Sequence, residues 1–323
     1  MLLSRVANSI YWIGRYIERA ENVNRHVLVS SEFAVELEGI FEEIAVREWE
    51  SLVSSLPRTG TEAAIHGQSE IQPESILRYM VSFLVDRENP YAVVTSLGKA
   101  RENARTVAES ITVEVTTNLN EAHRRLSSHR TNSIKDLGVA QDIGWRTHNS
   151  ILTTLGAIEH TLTRDEGWSY MKMGEAIERT QRSVLVLRTR LPNLLRWQEN
   201  TEDPLYYASW RSVLRTLASL ENYRQENGPR FTPDQVVRFL LFHPTTPRSV
   251  YCGVRRMIGY LNGMADSGTA AKDARRRLGR LAARLEYEQD DIMAGESTLT
   301  FMDDVLAELY HVHEAVSNPT KRR

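Results

Sequence analysis

From Ser4 onward the apolar residues Val6, Ile10, Ile13, Ile17 and Ala20 recur at three- and four-residue spacing, and Val27 resumes the stripe after the polar Asn24. This period places them on one side of an amphipathic helix. Comparable patterns run through residues 33–56, 73–85, 90–126, 134–162, 168–191, 204–223, 233–242, 247–261, 271–292 and 298–316. Strand-like alternation is not sustained anywhere, so the pattern predicts an all-α chain. Pro73, Pro90, Pro204, Pro233 and Pro247 sit near the starts of their runs. The first helical turn tolerates a missing N–H, so they read as helix starts. Polar, turn-forming loops are expected at 57–72, 127–133, 198–203 and 227–232, and the β-branched stretch 112–117 is the weakest helical segment.

The chain also repeats itself. Gly14-Arg15-Tyr16-Ile17-Glu18-Arg19-Ala20 returns as Gly174-Glu175-Ala176-Ile177-Glu178-Arg179-Thr180, with four of seven positions identical. Trp49-Glu50-Ser51 matches Trp210-Arg211-Ser212, and Asn89-Pro90-Tyr91-Ala92-Val93 aligns with Thr246-Pro247-Arg248-Ser249-Val250. The three matches keep their order at an offset of about 160 residues, which predicts a duplication. The expected architecture is a helical bundle array of two diverged repeats of one multi-helix unit, 1–130 and 131–323, forming one continuous domain over 1–323.

Composition narrows the function. The 323 residues are 41% hydrophobic and 25% charged, enough apolar material for a packed core. Lys plus Arg (40) nearly balance Asp plus Glu (42), so no overall field points to nucleic acid or a membrane surface. The single cysteine, Cys252, excludes an intrachain disulfide and a multi-cysteine metal site. No apolar run approaches the roughly 20 residues that cross a bilayer, and the first residues lead into a charged amphipathic helix rather than a signal peptide. A cytoplasmic location is expected.

Candidate chemistry concentrates on the first helix. At 100° per residue, Tyr11, Gly14, Glu18, Glu21 and Arg25 share a narrow arc about a quarter-turn from the apolar stripe. Glycine inside a helix costs roughly 1 kcal/mol against alanine, so Gly14 and its mate Gly174 imply a close approach by another helix or a ligand. On a structural reading, Glu21–Arg25 is an i,i+4 pair, and Glu18 pairs with Arg15 or with an arginine of a neighbouring helix. On a functional reading, Glu18 and Glu178 face an interhelical cleft and, with Arg15, Arg25 and Arg101, bind a polar ligand of both charge signs. Arg101 and Arg105 suit a carboxylate or phosphate, against a default of solvated surface. Arg248 follows a Pro-containing turn where a helix N-terminus receives an anion, or where Thr245 or Thr246 simply caps the helix.

A further run, Arg275, Arg276, Arg277, Arg280 and Arg284 followed by Glu286, Glu288, Asp290 and Asp291, opposes the helix macrodipole; an oppositely charged neighbour would explain it, against a default of a solvated face. The motifs of zinc peptidases, di-iron bundles, phosphate loops and serine hydrolases are absent. His311 and His313 stand two apart on a helix and do not share a face. No metal and no cofactor are expected.

The string Arg5-Val6-Ala7 with Tyr11-Trp12-Ile13-Gly14-Arg15-Tyr16-Ile17-Glu18-Arg19-Ala20-Glu21-Asn22 closely resembles the start of the bacterial Alpha-E domain family. Ala100-Arg101-Glu102-Asn103-Ala104-Arg105, Arg164-Asp165-Glu166-Gly167-Trp168 and Pro247-Arg248-Ser249-Val250 are similar to it too, so the resemblance covers essentially the whole chain. It departs at Gln181 and Leu185, where the family pattern carries an acid and an arginine, and at Val115 and Thr116, near a frequent tryptophan. The resemblance implies an all-helical fold encoded beside, or fused to, circularly permuted ATP-grasp proteins similar to carboxylate–amine ligases, often near a transglutaminase-like protease. The implied partners are such an ATP-grasp protein and a peptide-like or amino-acid substrate, with a homo-oligomer also compatible. Two functions follow: a non-catalytic helical partner or substrate-binding component, or an enzyme forming or cleaving peptide-like amides with Glu18 or Glu178 as general base.

Overall fold

The computed structural model describes residues 2–37, 46, 49–51, 54–56, 72–196, 203–264, 268–289 and 295–317. Among the described residues there is no strand; the chain is all-α. Its helices are α1 (Ser4–Glu36), α2 (Pro73–Leu84), α3 (Val93–Thr106), α4 (Val113–Ser127), α5 (Leu137–Thr161), α6 (Glu166–Leu195), α7 (Pro204–Thr216), α8 (Leu220–Asn227), α9 (Pro233–Phe242), α10 (Val250–Asn262), α11 (Gly268–Tyr287) and α12 (Glu296–Ser317). Much of the expected run 33–56 and nearly all of the loop 57–72 lie outside the described residues, as do most of the loop 198–203 and the tail of 271–292. Among the described residues no helix is long and apolar enough to cross a membrane.

Side-chain caps explain several starts. Asp136, Asp165, Asp203 and Thr232 accept backbone N–H groups at the heads of α5, α6, α7 and α9. Pro73, Pro204 and Pro233 occupy the first turn as expected.

Pro90 and Pro247 do not start helices. Each lies in a turn three residues before one, closed by Ala92 N–H to Asn89 O (3.1 Å) and by Ser249 N–H to Thr246 O (3.0 Å). Ala92 and Ser249 are then extended, with ψ of 151° and 147°. The cap of α10 is therefore Ser249, whose Oγ accepts from Cys252 N–H at 3.1 Å, and not Thr245 or Thr246.

Two expected runs are each divided. The run 90–126 breaks after Thr106, where Val107 leaves helical geometry and Ile111 and Thr112 are extended. β-branched residues bunch at this break, and Thr112 turns its hydroxyl to Thr161 at 2.6 Å. The run 204–223 breaks at Ala218, a non-glycine residue with φ of 48°.

The chain separates into two compact units: Met1–Arg15 with Thr163–Arg323, and Tyr16–Leu162. In the latter, Trp49, Tyr79 and Phe83 form an aromatic chain with centroids 5.7 and 5.1 Å apart, and Val115, Leu119 and Ile151 are fully buried. Gly144 leaves room for Leu28, since a Cβ there would lie 2.8 Å from Leu28 Cδ2, and Asn24 donates to the Gly144 carbonyl at 3.0 Å. α1 is thereby seated on α5.

In the other unit α6 packs against α10, with Gly253 against Thr180 and Gly263 against Ser169. Met171, Ile177, Leu187, Trp210 and Met257 fill the core. The arginines of α11 do meet opposite charges, as Arg277 pairs with Glu308 and Arg284 with Asp304, both on α12.

Candidate functional site

The first ten or so residues of α1 cross α6 where both helices carry glycine. A Cβ on Gly14 would stand 2.1 Å from the Met171 carbonyl oxygen and 3.2 Å from Glu175 N; one on Gly174 would stand 2.1 Å from the Tyr11 carbonyl oxygen and 3.1 Å from Arg15 N. Such distances are far inside van der Waals contact, so only hydrogen fits on either side. The expectation of close approach at both glycines holds, and the approaching group is backbone.

This contact carries two ionic clusters into the interior. In the first, Arg15 is only 6% exposed. It donates through Nε to Glu178 Oε2 at 2.6 Å, through Nη2 to the same oxygen at 2.5 Å, and through Nη2 to Gln181 Oε1 at 3.0 Å. Burial opposes the Arg15 charge, yet the Glu178 carboxylate and the Tyr11 hydroxyl outweigh it and hold the guanidinium above its ordinary pKa. Arg15 Nη1 also donates to Tyr11 Oη at 3.3 Å, and Tyr11 Oη meets His313 Nδ1 at 2.7 Å. The Tyr11 and His313 rings stack at 5.8 Å, and Trp12 meets His313 edge-on.

In the second cluster Glu175 accepts from Lys172 Nζ at 2.5 Å and from Arg179 Nη2 at 2.6 Å. Burial pushes the Glu175 carboxyl upward, but the two cations more than reverse this and hold it below the usual glutamate value.

The remaining candidates divide by burial. Tyr11, Glu18 and Glu21 are fully or almost fully buried, and Glu21 is bonded by Arg25 through Nε at 2.8 Å and through Nη2. The expected i,i+4 pair is present. Arg101 is half-buried and donates to Asn120 Oδ1 at 2.7 Å, Arg105 is exposed, and Arg248 is buried just before α10. Arg15 and Glu178 therefore meet directly. Sequence reasoning missed His313, whose link to Tyr11 spans 302 positions, and it also missed the Lys172–Glu175–Arg179 cluster, for which the i,i+3 and i,i+4 spacing was an available signal. Among the described residues no group of three or more His, Cys, Asp or Glu is placed to hold a metal ion.

The chain is thus an all-helical protein in which α1 and α6 cross on glycine and bring together Glu–Arg pairs. The chain belongs to the Alpha-E family, described as a predicted alpha-helical domain with a conserved ER motif, which matches residues 2–319. Glu18-Arg19 and Glu178-Arg179 are the two Glu-Arg steps at the repeated string. Similar proteins include Uncharacterized protein Mb2597 of Mycobacterium bovis, 24% identical over 288 residues, and Uncharacterized protein Rv2567 of Mycobacterium tuberculosis, 23% identical over the same length. The matches cover 84% of this chain and 31% of each relative, so the chain spans about a third of their length. No solved structure matches it.

Proposed function

We propose that this protein is a non-catalytic helical partner, or substrate-binding component, of an ATP-grasp amide-ligase system that builds or modifies peptide-like substrates in the cytoplasm. The observation that carries this reading is the state of two shielded carboxylates, Glu175 buried and Glu178 part-buried. Glu178 is engaged by Arg15 and Glu175 by Lys172 and Arg179, an arrangement that builds a rigid scaffold and commits both acids to internal partners. The relatives support it as well, because a module matching about a third of a longer chain is suited to work beside other domains. Family membership supports the ATP-grasp association.

A duplicated origin belongs to the same proposal. The reciprocal glycine contacts and the matching turns before α3 and α10 support it. Taken in order, α1, α2, α3, α4 and α5 correspond to α6, α9, α10, α11 and α12, which favours a junction near Leu162 over one near Arg130.

With Glu18 inside the protein, a partner engages the less buried candidates, Arg25 on α1 and Arg101 and Arg105 on α3. Calorimetry with the cognate circularly permuted ATP-grasp protein tests this. Arg25→Lys, which keeps a cation beside the buried Glu21, and Arg105→Ala, at an exposed position, should retain a near-wild-type melting profile yet weaken binding about tenfold, the scale of one charge-assisted contact. Wild-type affinity in both removes the proposed face, and unaided turnover of a peptide amide by the purified chain replaces the partner reading with an enzymatic one.

A further inference from the structure

A groove of about 260 Å³ opens between α4 and α5, wholly inside the Tyr16–Leu162 unit and outside the helix crossing. Its lining residues Ala122, Leu126 and Ile143 are buried and make an apolar floor; Arg125 from α4 and Arg146 from α5 are exposed at its rim, with His129 beside them. We propose that this groove is a binding site for a small aliphatic carboxylate, its hydrocarbon part on the floor and its carboxylates held by the two guanidinium groups. This proposal is independent of the partner reading.

Charge, availability and size all point the same way. Residues 121–150 hold five Lys or Arg against three Asp or Glu, in a chain whose total is slightly acidic. Both rim arginines pair near the surface: Arg125 with the half-buried Glu121 and Arg146 with the exposed Asp142, with side-chain exposures of 66%, 34%, 78% and 57% in that order. Exposed pairs of this kind contribute little to stability, so an incoming carboxylate displaces them readily. Glu121 is bonded by Arg124 as well, and stays neutralised when Arg125 turns to a ligand; Asp142 is released to water. Guanidinium groups grip carboxylates through paired N–H donors, which a neutral amide does not reproduce. The volume lies just below the roughly 300–1,000 Å³ of sites for drug-sized molecules, which limits the ligand to a few carbons. The apolar floor favours an aliphatic body over inorganic phosphate.

The test is titration of the full-length protein with glutarate, glutaramide and inorganic phosphate, followed by calorimetry and by the Ala122 methyl resonance. Glutarate should bind and shift that methyl, while glutaramide and phosphate should not match it. Arg125→Ala and Arg146→Ala should each weaken glutarate binding about tenfold or more, the range of a hydrogen bond to a charged group, and Arg280→Ala in the other unit should leave it unchanged. No glutarate binding, or wild-type affinity in both rim variants, overturns the site. Phosphate binding as tightly as glutarate overturns the ligand class.

Discussion

Gly14 and Gly174 occupy equivalent places in a reciprocal contact: the missing Cβ of each is filled, at 2.1 Å, by a carbonyl oxygen three residues before the other, Met171 O for Gly14 and Tyr11 O for Gly174. Neither oxygen belongs to a flexible side chain. Relief requires moving a helix.

Substitution at this crossing should therefore be costly even for alanine. Gly14→Ala and Gly174→Ala gain up to about 1 kcal/mol of helix propensity, but overpacking should outweigh that and leave each variant about 1–3 kcal/mol less stable in urea denaturation. Gly156→Ala is the control. A Cβ there meets nothing within 4 Å, so the same substitution inside α5 should stabilise by about 0.5–1 kcal/mol. Equal effects at all three sites would show that the crossing is looser than described.

Removing one member of the largely shielded Arg15–Glu178 pair should cost more than removing both. Arg15→Met leaves the Glu178 carboxylate without its guanidinium and should destabilise by about 3–5 kcal/mol, whereas Arg15→Met combined with Glu178→Met should recover much of that loss. A double-mutant cycle in chemical denaturation reads the coupling directly.

Glu175 should give the protein an acid-sensitive component. Its carboxyl is held below the ordinary value in the folded state by Arg179 and Lys172, against the opposing effect of burial. Its stabilisation is therefore complete above the unfolded value of about 4.3 and is lost as pH falls through the folded value. The stability advantage of the wild type over Glu175→Gln at pH 7 should shrink progressively as the pH falls below the unfolded glutamate value of about 4.3. An advantage that is flat or grows toward low pH would contradict the assigned cations.

Tyr11→Phe should isolate the aromatic cluster. It keeps the ring stacked on His313 but deletes the hydroxyl between Arg15 and His313 Nδ1, leaving two buried or part-buried polar groups short of a partner. The expected loss is about 1–3 kcal/mol in thermal or chemical denaturation. A neutral outcome would mean that water replaces the hydroxyl.

Much of this molecule is determined locally, and that part is legible in its sequence. The three- and four-residue spacing from Val6 to Ala20 specifies the buried stripe of α1, because helix geometry alone decides which residues share a face. Pro73, Pro204 and Pro233 mark first turns for the equally local reason of a dispensable N–H. Gly14 and Gly174 announced a close neighbour, since an unneeded glycine in a helix is a standing cost. Local patterns were less informative where neighbouring contacts compete: Pro90 and Pro247 close turns instead of opening helices, and the run 90–126 divides where Thr112 bonds Thr161, 49 positions away. Tertiary structure alone chose the partners. It gave Arg15 to Glu178, across 163 positions, where spacing within α1 had offered Glu18, and it brought His313 onto Tyr11. Which charges meet depends on how whole helices cross, and that follows from the summed packing of many apolar side chains, which no single stretch of sequence contains.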